Sequence, residues 1–79
     1  MYKNLKAEIA RAGMSNTEIA DAVGMRYATM WRLLNGKQPF RLSQMTAIQS
    51  ELEERNGTTY TLDYLFVDGD DYGEGQPDS

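Results

Sequence analysis

Ser15-Asn16-Thr17-Glu18-Ile19-Ala20-Asp21-Ala22-Val23-Gly24-Met25-Arg26-Tyr27-Ala28-Thr29-Met30-Trp31-Arg32-Leu33-Leu34-Asn35-Gly36 reads as two short helices joined by a sharp turn. The stretch opens on a capping box: the Ser15 hydroxyl accepts from the Glu18 amide while the Glu18 carboxylate reaches back to the Ser15 amide. Met14 and Ile19 stand where a hydrophobic staple clamps such a start. The helix runs only from Asn16 to Val23, because Gly24 supplies the positive φ of a tight turn. A second helix follows from Arg26 or Tyr27 to Leu34, burying Met30, Leu33 and part of Leu34 and stopping at Asn35-Gly36. Ala20 falls at the crossing of the two, where a larger residue would push them apart, and Ile19, Val23, Met30 and Leu33 lock it.

Outward from this pair, Leu5 and Ile9 lie one turn apart with charges between them, which predicts an amphipathic helix from Asn4 to Ala12 closed by Gly13. After the loop Lys37-Gln38-Pro39-Phe40, the residues Leu42, Met45, Ile48 and Leu52 recur at spacings of three and four, predicting a fourth helix to about Arg55, ended by Asn56-Gly57. Thr61 is placed to cap a short fifth helix, with Tyr60 and Leu65 as staple partners. Residues 68–79 have almost nothing to bury and are expected to form a mobile acidic tail beyond a single domain at residues 1–67. The expected fold class is all-α, a five-helix bundle.

At 79 residues and 41% hydrophobic content, the chain builds one core. Without Cys or His, disulfides, thiolate nucleophiles, zinc-finger spacing and the commonest general base are all excluded. No apolar run approaches the ~20 residues that span a bilayer, nor does the start resemble a signal peptide, so a cytoplasmic protein with no membrane partner is expected. The clusters Glu51-Glu53-Glu54 and Asp68-Asp70-Asp71 lack the ligand order of a calcium loop and read as solvated charge. No pair of carboxylates is brought together by the pattern, so no enzyme, cofactor or metal is expected.

The net charge of −4 is unevenly spread: residues 1–41 hold seven bases against three acids, and residues 58–79 hold six acids and no base. A polyanion responds to the local field, which decays within about 10 Å at moderate salt, so a basic face coexists with an acidic tail.

The segment Met14 to Lys37, with its capping box, Ala20, Gly24 and apolar lock, resembles the helix-turn-helix of the lambda-type Cro/repressor (XRE) family, and Leu62-Asp63-Tyr64-Leu65-Phe66 resembles that family's closing helix. The likeness covers residues 4–67, and its opening Asn4-Leu-Lys-Ala-Glu-Ile-Ala-Arg is similar to regulators carried by phages and mobile elements of Gram-positive bacteria. The resemblance implies a lambda-repressor-like domain that acts as a transcriptional repressor and binds double-stranded operator DNA as a homodimer. It places base-contacting residues at Arg26, Tyr27, Ala28, Thr29 and Arg32, and phosphate-contacting residues at Asn16, Thr17, Asn35 and Lys37. Arg32 would offer a bidentate fork to guanine and Ala28 a methyl contact to thymine. Two positions depart from the family: Asn16 stands where Gln is usual, with a shorter reach, and Arg26 stands where Ser or Thr usually caps the recognition helix. The alternative is an adaptor or anti-repressor that has kept the fold without DNA binding. Trp31, at the edge between core and outer face, is expected to pack inward.

Overall fold

The Ser15 cap forms as its residue types require: Ser15 Oγ accepts from the Glu18 amide at 3.1 Å, and Glu18 Oε1 accepts from the Ser15 amide at 2.8 Å. In the structure, a computed structural model that describes residues 2–67, the helix it starts is one of five. They are α1 (Lys3–Arg11), α2 (Asn16–Ala22), α3 (Tyr27–Leu34), α4 (Leu42–Asn56) and α5 (Leu62–Leu65), with no strand among the described residues. None of these helices is long and apolar enough to cross a membrane. The tail expected at residues 68–79 lies outside the described residues.

Gly24, at φ +71°, turns the chain between α2 and α3, and the Met25 amide bonds to the Ala20 carbonyl at 2.8 Å across that turn. The two helices pack on each other, while α1, α4 and α5 pack among themselves. Side chains from all five elements meet in one core: Leu5 and Ile9 of α1, Ile19 and Ala20 of α2, Met30 and Leu34 of α3, Ile48 and Leu52 of α4, and Leu65 of α5. Leu33 is also fully buried, and Leu34, expected to be half-covered, is buried as completely. Met14, Val23 and Tyr60 pack against this core from its rim.

Two features depart from the pattern read along the chain. Leu42, the first residue of the expected α4 stripe, is 63% exposed, because it occupies the first helical position and overhangs the core that Ile48 and Leu52 fill. Phe40, read as loop, makes edge-to-face contacts with Tyr2 at 5.1 Å and Phe66 at 4.8 Å between ring centroids. It thereby ties the loop before α4 to both ends of the described chain, a geometry favoured by the aromatic quadrupole.

Since Ser15 is exposed and its hydroxyl makes the cap bond, Ser15→Ala is expected to lower stability by about 1 kcal/mol with little change in m value. Urea titration followed by circular dichroism measures this, and an unchanged midpoint would show that water replaces the cap without loss.

Candidate nucleic-acid interface

One face of α3 goes into the core through Met30, Leu33 and Leu34, which leaves the opposite face outward. Helical geometry puts Tyr27, Ala28, Trp31 and Arg32 on that outer face, and all four are exposed. Arg26 takes the N-cap position with extended backbone, is exposed, and makes no side-chain cap bond. The first amides of α3 therefore have no side-chain acceptor at the cap. Thr29 sits at the margin and is half-buried.

Arg32 is oriented by a neighbour that the sequence did not single out. Its Nε donates to Gln38 Oε1 at 3.0 Å, which leaves the two terminal amino groups of the guanidinium for a further partner. Lys37 is held next to it, because its amide bonds to the Arg32 carbonyl at 2.8 Å, and its ammonium is exposed. Asn35 is half-buried and spends one side-chain donor on the Trp31 carbonyl at 2.8 Å. Asn16 and Thr17 are exposed in the first turn of α2. From Met25 to Arg41 the chain carries four bases, Arg26, Arg32, Lys37 and Arg41, and no acid. The outer face of α3 is consequently cationic although the chain as a whole is anionic.

Trp31 does not pack inward: it is 44% exposed, and Tyr27, one turn earlier, is 50% exposed. The inward positions of α3 are already filled by Met30, Leu33 and Leu34, so the indole has no place in the core.

A second polar cluster lies on the α1, α4 and α5 side. Glu8 is 4% exposed. Its Oε1 accepts from the Tyr60 hydroxyl at 2.6 Å and from Arg11 Nε at 2.8 Å, and its Oε2 accepts from the Tyr64 hydroxyl at 2.7 Å. Asn56 Nδ2 donates to the Glu8 carbonyl at 3.1 Å and to the Tyr60 hydroxyl oxygen at 3.0 Å. The Tyr60 and Tyr64 rings stack at 5.9 Å between centroids. The two phenolic donors hold the Glu8 carboxyl below its ordinary value against the opposing effect of burial, with Arg11 adding to the lowering. Burial, then the bond to Glu8, raises the Tyr60 phenol, and the bond to Glu8, then burial, raises that of Tyr64. A carboxylate whose oxygens are all engaged and whose charge is stabilised serves as a structural tie.

Two of the three acids on α4 are also engaged: Glu53 Oε2 accepts from the Tyr60 amide at 2.9 Å, and Glu51 pairs with Arg55. Among the described residues no group of three acidic side chains converges to hold a metal ion. The chain matches no protein-family model, no curated protein and no solved structure.

Proposed function

We propose that this protein is a sequence-specific regulator of transcription, a repressor, which binds double-stranded DNA by placing α3 in the major groove. The fold is read as a lambda-repressor-like domain of the XRE type, with α2 and α3 as its helix-turn-helix. The observation that carries this reading is the outer face of α3: Arg26, Tyr27, Ala28 and Arg32 stand exposed along it, in a segment with four bases and no acid. An oriented guanidinium at the end of such a helix suits the N7 and O6 acceptors of guanine. Thr29, at the margin of the face, assists at the base edges. Asn16, Thr17, Asn35 and Lys37 surround the helix as phosphate contacts that fix register and carry little sequence information. The amides that Arg26 leaves uncapped take a phosphate oxygen in the same way. Two copies bind a pseudo-palindrome with half-sites about one helical turn apart, and no cofactor enters.

Selection of bound duplexes from a random library, at stated salt, tests the reading directly. A palindromic motif is expected to enrich.

On the selected operator, Arg32→Ala is expected to cost about 1–3 kcal/mol and to relax preference at one base pair per half-site. Lys37→Ala is expected to weaken operator and scrambled DNA alike and to lower the salt slope by about one unit. Titrations of both variants at several salt concentrations separate the two roles. Equal loss on both DNAs for Arg32→Ala would make it a phosphate contact.

A second reading rests on one observation, the exposure of Tyr27 and Trp31 beside Arg32. Trp, Tyr and Arg dominate protein-binding hot spots, so the same face suits an adaptor that docks on another protein. Failure of the library to enrich any motif favours that adaptor.

A further inference from the structure

Tyr27, Ala28, Trp31 and Arg32 together line an open notch of about 380 Å³ on the outer face of α3. It is lined by the aromatic residues Tyr27 and Trp31, by the small Ala28 and by Arg32, whose Nε is held by Gln38. Neither aromatic contributes to the packed core, and Arg32 needs only one of its donors to stay in place. The notch thus joins a largely apolar lining to a guanidinium with hydrogen-bond donors to spare.

The major-groove edge of duplex DNA offers one matching pair of features. Among the four bases only thymine presents an apolar group there, its C5-methyl, while guanine presents the two acceptors that an arginine fork takes. Charge favours this occupant over a protein surface, since residues 25–41 carry four bases and no acid.

Building on the DNA-binding reading above, we infer that the Tyr27–Trp31 notch is a reader of 5-methylpyrimidine. It takes the C5-methyl of a thymine adjacent to the guanine that Arg32 holds, so α3 selects the two bases as a unit. Trp31 is the specificity-determining wall of that notch. A 5-methylcytosine at the thymine position, which carries the same methyl, retains the contact.

The test uses the full chain and the operator enriched from the library, with each thymine replaced in turn by deoxyuridine, which lacks only the methyl. Binding is expected to weaken about fourfold at one thymine per half-site, the factor that burial of a single methyl gives. That thymine should neighbour the guanine whose identity Arg32→Ala no longer senses. Trp31→Ala should fold normally by circular dichroism, since its side chain lies outside the core, and should bind the thymine and uridine operators alike. Trp31→Phe, which keeps an aromatic wall, should restore part of the preference. The inference is overturned if no uridine-sensitive thymine borders a guanine, or if the uridine penalty persists undiminished in Trp31→Ala. An enriched operator that is indifferent to uridine removes the notch alone, whereas a library that enriches nothing removes the DNA-binding reading with it.

Discussion

Glu8→Ala is expected to lower the stability of the protein by about 3 kcal/mol, a large share of the ~5–15 kcal/mol available to a single domain. The substitution leaves the Tyr60 hydroxyl, the Tyr64 hydroxyl and Arg11 Nε without their common acceptor. Hydrogen bonds to a charged group contribute more than neutral ones, and the two phenolic bonds are part-buried, so water makes good only part of their loss. The loss should appear mainly as a shift of the urea midpoint. A change under 1 kcal/mol would show that water satisfies the two phenols.

The same cluster fixes a pH dependence. Glu8 titrates below its ordinary value of 4.5 in the folded protein, so the unfolded chain binds more protons in that region. Its contribution is fully present above about 4.5 and is lost as pH falls through the depressed folded value. The tyrosines work in the opposite sense: their phenols are raised above 10.0, so their contribution is fully present below that value and is lost as pH rises through the folded ones. Glu8→Gln, which keeps the size and removes the charge, should therefore destabilise at neutral pH and converge on the wild type in acid. Parallel acid limbs for the two proteins would contradict the assignment.

The second large effect is expected at Ala20. Ala20→Leu should cost about 3 kcal/mol, at the upper end for overpacking, because Ala20 is buried in the core and its carbonyl is pinned by the Met25 amide across the Gly24 turn. Neither helix can retreat without breaking that turn. If the DNA-binding reading holds, operator binding should fail together with folding, since α3 packs on α2. Thermal melts of Ala20→Leu beside the conservative Ala20→Gly, which removes volume and should be milder, check that the cause is crowding. A Leu variant that melts and binds like the wild type would refute the crossing point.

What was legible in the sequence was local. The capping box at Ser15 and Glu18, the turn at Gly24 and the stop at Asn35-Gly36 each involve partners within a few residues, and each is found within a residue or two of its expected place. The apolar stripe of α4 was legible at Ile48 and Leu52 but not at Leu42, which is exposed, or at Met45, which is only half-buried, because periodicity does not say where the core ends. Glu8 was missed because its partners lie 52 and 56 residues away, and beside Arg11 it looks like a solvated helix charge. One signal was present: Glu8 stands three residues after Leu5 and four before Ala12, on the same stripe as the core residues, and Tyr60 and Tyr64 one turn apart are two hydroxyls in need of an acceptor. Gln38 was invisible for a related reason, since a loop side chain can be aimed at Arg32 only once the end of α3 is fixed. For the candidate interface, the sequence supplied the residues and the structure supplied their exposure, including the outward Trp31.

The position of Trp31 also makes the protein its own optical reporter. It is the chain's single tryptophan, and it lies part-exposed on the outer face of α3 instead of in the core. Its emission in the folded state should already be red-shifted, so unfolding will move the spectrum little and is better followed through the tyrosine near-ultraviolet bands. Any macromolecule that covers α3 will change the environment of this one indole, and quenching by acrylamide or iodide will then measure how much of the helix face remains open to solvent, without a label or a mutation.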